Sequence, residues 1–236
     1  MADGIYVSMN GAAARMAQLD SISDNLANIN TPGFKASRPA FEAFLAKAAS
    51  NDPDQVHAAA VQTQLDLSTG AVIHSGDPMD VMPTGNSFLA VKLTDGLAFT
   101  RNGRLQVDES GALRVSGQLV VDDAGAPIIA PPQSSVRVEP NGAIFANNQK
   151  IAQLGLFELN GSIDRISPTL LRPQSPEGFA VSNATVRIGE FEVSNSSALE
   201  AAVQMVSAQR NFDNSMQALQ TYRRLDEKAV ELGRIR

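Results

Sequence analysis

NLANINTPGF, residues 25–34, closes a run whose apolar residues have kept helical time since Ile5. Ile5, Met9, Ala12, Met16, Leu19, Ile22, Leu26 and Ile29 follow one another at steps of three or four, which places them on one stripe of a helix. Gly4 and Gly11 each cost this helix about 1 kcal/mol of propensity against alanine, so it is weak in isolation. Pro32 biases Thr31 away from helical backbone and Gly33 can take positive φ, so Thr31-Pro32-Gly33 predicts a sharp exit of the chain. Asn25 and Asn28 lie three apart and share a face beside the stripe, where their amides can bond groups of an adjacent helix. The plainer alternative is two solvated asparagines near a helix end.

A second stripe occupies residues 195–232. Ala198, Ala202, Met205, Gln209, Phe212, Met216 and Leu219 alternate steps of four and three, and Tyr222, Leu225, Ala229 and Leu232 continue after a slip, which is a heptad seam with one phase change. Ser197 followed three residues later by Glu200 has capping-box form. Between the stripes, residues 66–193 carry recurrent glycine turns, among them Asp95-Gly96, Asn102-Gly103, Ser110-Gly111, Ala124-Gly125, Asn141-Gly142 and Asn160-Gly161. The pieces between them, FLAVKL, GRLQV, ALRV, QLVV and IAQLGLFEL, have strand length and β-rich content.

These readings predict an α+β fold in which N- and C-terminal helices pair as a coiled-coil-like domain and flank a central antiparallel all-β domain. The expected segments are an N-terminal helix in 1–35, an extended arm or linker in 36–65, the β domain in 66–193 and a C-terminal helix in 194–236. The terminal helices are expected to stay weakly ordered alone and to gain their packing from neighbouring copies, because an isolated pair of such helices is marginal in water.

Composition narrows the chemistry. The chain has 236 residues, 43% of them hydrophobic, and a formal net charge of -6, so it can bury a core and lacks an overall electrostatic attraction for nucleic acid or anionic lipid. Without cysteine it can hold neither disulfides nor thiolate-ligated metal. No basic segment followed by an apolar run opens it, and no stretch has the apolar length of a membrane span, so these facts alone predict a cytoplasmic protein. His57 and His74 have no partner at metal-ligand spacing. Asp77, Asp80, Asp95, Asp108 and Glu109 could serve a glycosidase, but carboxylates beside glycines are turn residues by default. The expectation is no catalytic, cofactor or metal site; a wall-acting glycosidase and a cytoplasmic adaptor are the competing classes.

DNLANINTPGFK (24–35) is similar to the N-terminal signature of bacterial flagellar rod and hook proteins. LDLSTGAVIHSGDPMDVMPTGNSFLAV (65–91), LAFTRNGRLQVDESGALRVSGQLVVDDAGAPI (97–128) and EFEVSNSSALEAAVQMVSAQRNFD (190–213) resemble later segments of that family in the same order. The ending TYRRLDEKAVELGRIR (221–236) is most similar to the proximal-rod member. QRNFD (209–213) stands where the distal-rod relative carries an aromatic-rich stretch.

The resemblance implies a non-enzymatic structural subunit of the flagellar basal-body rod, proximal rather than distal or hook-type, that polymerises around an export channel. It implies copies of itself, other rod subunits and the flagellar type III export apparatus as partners, with no nucleic acid, membrane insertion or cofactor. It places the protein in the rod that crosses the periplasm, exported without a cleaved signal, which reverses the cytoplasmic inference. Asn25, Leu26, Ala27, Asn28, Thr31, Pro32, Gly33 and Phe34 become the assembly motif. Ile5, Met9, Met16, Leu19, Ile22, Ile29, Met205, Phe212, Met216 and Leu219 become the helix-packing residues, with Ser197 and Glu200 as the cap. The terminal helices would form an inner domain with the β domain outside it and residues 36–65 as a bracing arm.

Overall fold

The computed structural model describes residues 2–41 and 61–234, in two compact units. Within those residues one unit comprises 2–27, 37–41, 61–64 and 198–234, and the other 28–36 and 65–197. We call the second the β body.

The first unit holds α1 (Ala2–Ala27), α2 (Ala198–Arg234) and the paired strands β1 (Ser37–Phe41) and β2 (Val61–Leu65), of which Leu65 falls in the β body. α1 stops at Ala27 because the next carbonyl, that of Asn28, accepts a turn bond from the Thr31 amide at 3.1 Å and Pro32 then has no amide to continue a ladder. Ile29 therefore lies beyond the helix that its spacing had suggested. The helices meet through Leu19, Ile22 and Leu26 of α1 and Ala201, Met205 and Ala208 of α2.

That contact corrects the expected fold class. The α+β arrangement with a coiled-coil-like helix pair is overturned: among the described residues the body of the chain is strand, with eighteen strands against two helices, and half of the heptad seam is out of phase. Ala198, Ala202, Gln209 and Met216, assigned to the seam, are exposed, while Ala201 and Ala208 are buried. Met9 and Met16 of the α1 stripe also face outward, about half exposed. Small side chains at Ala201 and Ala208 admit the larger Leu19, Ile22 and Leu26, so size complementarity set the contact, where the sequence reading had favoured the largest apolar residues.

The β body contains β3 (Val72–His74), β4 (Val81–Pro83), β5 (Ser87–Leu93), β6 (Gly96–Thr100), β7 (Gln106–Val107), β8 (Leu113–Val115), β9 (Gln118–Val120), β10 (Val136–Val138), β11 (Ala143–Ala146) and β12 (Gln149–Gln153). It continues with β13 (Leu156–Leu159), β14 (Ile163–Ser167), β15 (Leu170–Pro173), β16 (Phe179–Val181), β17 (Val186–Ile188) and β18 (Glu190–Glu192). A nine-stranded sheet runs β14-β15-β6-β5-β9-β8-β7, with β13 also on β5 and β16 on β13. β10-β11-β12 form a three-stranded sheet, and β17-β4 and β18-β3 are two-stranded. The run IAQLGLFEL is split between β12 and β13 at Gly155, where a Cβ would come within 2.5 Å of the Asp122 carbonyl oxygen.

Strand alternation gives the large sheet a core on each face. Leu89, Val91, Ala98, Val120, Leu156 and Leu170 enter one. Their chain neighbours Phe88, Ala90, Phe99, Val121, Phe157 and Leu171 enter the other. In the second core Phe99, Phe157 and Phe179 meet with ring centroids 5.0 to 5.7 Å apart, an arrangement that adds about 0.5–1.5 kcal/mol per pair to the area term.

Three loops of this body repeat one design: Val107-Asp-Glu-Ser-Gly-Ala112, Val121-Asp-Asp-Ala-Gly-Ala126 and Val138-Glu-Pro-Asn-Gly-Ala143. In each the glycine amide donates to the carbonyl of the acidic residue three positions earlier, at 2.9, 3.1 and 2.8 Å, and the glycine sits at φ 83°, 84° and 80°. This is a type I turn closed by a left-handed residue. The Asp108 and Asp122 carboxylates each accept two further loop amides. The surroundings differ: a Cβ on Gly125 would meet open space, whereas one on Gly111 would lie 2.1 Å from the Ala130 carbonyl oxygen. Gly125→Ala is therefore expected to lower stability by about 1–2 kcal/mol, the cost of a left-handed non-glycine residue, and Gly111→Ala by clearly more. Equal losses in chemical denaturation would show that the close approach at Gly111 has no weight.

Candidate functional site

The residues that follow α1 form a strap laid into the β body. Thr31 Oγ1 donates to Asn28 Oδ1 at 3.0 Å, and the Phe34 amide donates to the Thr31 carbonyl at 3.3 Å, so two successive turns carry the chain through Pro32 and Gly33. Gly33 sits at φ 70°, and a Cβ there would lie 2.1 Å from the Asn102 backbone nitrogen. Its amide donates to the Glu192 carbonyl at 2.8 Å. Only glycine meets both demands, the left-handed backbone and the contact with a neighbouring main chain.

Phe34 is fully buried, with the Arg165 guanidinium 4.4 Å from its ring centroid. Arg165 also donates to the Lys35 carbonyl. The Lys35 ammonium is itself buried, donating to Glu192 Oε1 at 2.6 Å and to the Ser68 carbonyl at 2.7 Å. Arg101 Nε donates to the other Glu192 oxygen at 2.7 Å, Arg101 Nη1 to the Ser87 carbonyl, and the guanidinium lies 5.6 Å from the Phe88 ring centroid. The Gly70 amide completes the shell of Glu192 at 2.9 Å.

Asn195 ties together the segment before β1 and the segment after β2. Its Oδ1 accepts from the Ala36 amide at 2.6 Å, and its Nδ2 donates to the Asp66 carbonyl at 2.8 Å and the Ser68 carbonyl at 3.1 Å. The Asp66 amide donates to the Ala36 carbonyl at 2.8 Å.

Electrostatics follow from this burial. Desolvation pushes against ionisation of Glu192, but Lys35, Arg101 and the Gly70 amide together outweigh it and hold the carboxyl below its ordinary value. Desolvation pushes the Lys35 ammonium down, and Glu192 offsets only part of this. Asp108, in a turn elsewhere, is also held low by the Ser110 hydroxyl, Arg114 and the Ala112 amide.

In the helical unit Asn25 does the equivalent work on a smaller scale. The Ser37 amide donates to Asn25 Oδ1 and Asn25 Nδ2 donates to the Ser37 carbonyl, both at 2.8 Å, while Ser21 Oγ donates to the same carbonyl at 3.3 Å. The asparagine thus copies a strand partner and starts β1; the backbone it bonds belongs to a strand and not to a second helix. Leu26 packs in the helix contact, and Ala27 is the last residue of α1. Phe212 is half-buried and Leu219 buried on α2. Ser197 immediately precedes α2, and Glu200 in its first turn accepts from Gln204 Nε2 at 3.0 Å. The side chain of Ile5 and the whole of His57 lie outside the described residues.

Four of the five carboxylates considered for catalysis are engaged in local structure, and the fifth, Glu109, is exposed in the turn after β7. Asp77 accepts the Met79 amide, Asp80 pairs with Arg104 at 3.6 Å, Asp95 accepts the Thr94 hydroxyl, and Asp108 accepts from Ser110, Ala112 and Arg114. His74 is exposed on β3. Sequence reading missed Lys35, Arg101, Glu192, Asn195 and Arg165. The alternation Glu190-Phe191-Glu192-Val193 gave no signal for Glu192, since it places both glutamates on the polar face of a strand.

Glu192→Gln keeps the shape and leaves two buried cations without a counter-charge, so it is expected to cost about 3–5 kcal/mol at neutral pH. Because the folded value of this carboxyl lies below the unfolded one, near 4.3, its stabilisation is complete above that pH and lost as pH falls through the folded value. The variant should therefore also show a shallower loss of stability on acidification. Denaturant midpoints measured against pH that match the parent at every point would show that the cluster contributes nothing.

Comparison with known proteins places this geometry in context. Residues 5–35 match the family described as flagella basal body rod protein, residues 83–146 the flagellar hook protein FlgE/F/G D1 domain, and residues 189–232 the flagellar basal body rod FlgEFG protein C-terminal region. Each matched segment supplies one member of the buried cluster: Lys35, Arg101 and Glu192. The chain is 30% identical to the flagellar basal-body rod protein FlgF of Rhizobium meliloti (strain 1021), over 98% of each chain. It is also 30% identical to FlgF of Escherichia coli (strain K12), over 93% of each. To the rod protein FlgG of Bacillus subtilis (strain 168) it is 24% identical, over 99% of this chain and all of that one. With sequence likeness along nearly its whole length and the shared segments joined in one buried cluster, this chain belongs to the flagellar basal-body rod protein family.

Proposed function

We propose that the chain is a structural subunit of the proximal segment of the flagellar rod, held among copies of itself and other rod subunits, and serving motility. The observation that carries this is the uncovered apolar face of α2. Leu199, Val203 and Val206, spaced by four and three, are 77%, 62% and 52% exposed, and Tyr222 and Leu225 prolong the exposure along the helix. A groove of about 600 Å³ lies beside them, lined by Val203, Val206 and Arg210 among others. A soluble monomer gains nothing from such a face, and neighbouring subunits would remove it from water at about 25 cal/mol per Å². Contacts between unlike surfaces of successive subunits build an open helical assembly, which is what a shaft requires.

Placement in the proximal segment is supported by the C-terminal ending and by likeness to relatives named FlgF along almost all of this chain. On this reading the subunit leaves the cytoplasm through the flagellar type III apparatus with its N-terminus uncleaved and resides in the rod within the periplasm. Asn25, the Thr31-Pro32-Gly33-Phe34 strap and the helix-packing residues then hold each subunit in the form that its neighbours accept.

Val206→Asp tests the assembly face. The side chain is already half exposed, so monomer stability should stay within about 0.5 kcal/mol of the parent while incorporation into rods is lost. Basal bodies purified from cells expressing a tagged form should carry the parent protein in their proximal rod fraction and lack the variant. Normal rods built from Val206→Asp, or a tagged parent found only in the cytosol, would overturn the reading.

A further inference from the structure

Asparagine precedes glycine at four places in the chain: Asn10-Gly11, Asn102-Gly103, Asn141-Gly142 and Asn160-Gly161. Such a pair can modify itself. The glycine backbone nitrogen gives up its proton and attacks Cγ of the asparagine; the new C–N bond closes a five-membered imide as the Cγ–Nδ2 bond breaks and ammonia leaves. Water then adds to either imide carbonyl, giving aspartate or its isomer with the main chain routed through the side-chain carbon. Glycine favours the step because no Cβ obstructs the approach. The step also needs a side chain free to turn and a glycine amide not already donating.

The fold treats these pairs differently. Gly11 lies inside α1, where the helical ladder engages its amide, so the comparison rests on the three pairs of the β body. Asn102 is buried, its Nδ2 donating to Ser116 Oγ at 2.9 Å and its Oδ1 accepting the Arg104 amide at 3.1 Å. Asn141 Oδ1 accepts the Ala143 amide at 2.9 Å, and the attacking group itself, the Gly142 amide, donates to the Glu139 carbonyl at 2.8 Å. Asn160 and Gly161 form the exposed turn between β13 and β14. Among the described residues the Asn160 side chain makes no hydrogen bond and the Gly161 amide donates none. A Cβ on Gly161 would meet open space.

We propose that Asn160 is a site of spontaneous imide formation and deamidation, with water as the only co-reactant. The product places a carboxylate on this turn, and in the isomerised form adds a methylene to the main chain. That addition falls where the Asn160 amide donates to the Gly178 carbonyl at 2.7 Å and Leu159 pairs with Phe179, a member of the aromatic cluster. The β13–β16 edge is the part of the molecule that would register the change.

Full-length folded protein held at mildly alkaline pH and sampled over time by peptide mapping with mass spectrometry tests this. Asn160 should convert several-fold faster than Asn102 and Asn141. In strong denaturant the three rates should converge, and Asn160→Gln should remove the product from that peptide without changing the other two. Conversion at Asn160 that is absent, or no faster than at Asn102 and Asn141, would overturn the proposal. So would a rate advantage that persists unchanged in denaturant, since the fold would then have no part in it.

Discussion

The β body depends on one carboxylate. Glu192 stands on β18 with its oxygens divided between Lys35 and Arg101, so residues before the first strand, just after β6 and just ahead of α2 are bound at one buried point. A buried carboxylate survives only when its lone pairs are filled and its charge is balanced. Two cations and the Gly70 amide meet that requirement. The chain leaves α1 through the strap and reaches α2 through Asn195, and both passages are fixed to the β body within a few residues of that carboxylate.

The sheet that receives the strap is rigid for reasons of its own. Because β5, β6, β13 and β15 send alternate residues into two cores, no small slip of register is tolerated on either face. The repeated acidic-residue and glycine turns hold the short strands at fixed lengths with hydrogen bonds internal to each loop.

Much of the body was legible because its signals are local. FLAVKL is a short apolar run and is a central strand buried on both faces; the glycine turns fall where left-handed backbone is required. The helices were legible as periodic runs, but the end of α1 at Ala27 and the contact between them were not. The reading of α2 took Ala202, Gln209 and Met216 into the seam by spacing, yet alanines one position away at Ala201 and Ala208 are the buried ones. Helical period fixes a stripe only to within the width of one residue, and partner shape decides the rest. β1 was hidden because Ser37-Arg-Pro-Ala-Phe41 contains a proline and no alternation. Lys35, Arg101 and Glu192 were hidden for a deeper reason: charged residues belong in water by default, and only a partner 91 or 157 positions away makes burial sensible.

Those separations bear on why the junction is ionic at all. A well-packed apolar cluster of the same volume would commonly be as stable or more so, but it would also reward partial assembly, since each added side chain removes surface from water independently. The ionic cluster behaves otherwise. Arg101 and Glu192 buried without Lys35, or Lys35 and Arg101 without Glu192, leave unbalanced charge in a low dielectric, and either half-formed state lies above the solvated one. Closing the longest of these loops adds little entropy cost beyond the shorter one, because that cost grows only with the logarithm of length. The balance therefore favours none or all three, and the strap seats only when the chain on both sides of the β body is present. The ionic cluster thus joins the three segments of the β body cooperatively, where an apolar one would join them by degrees.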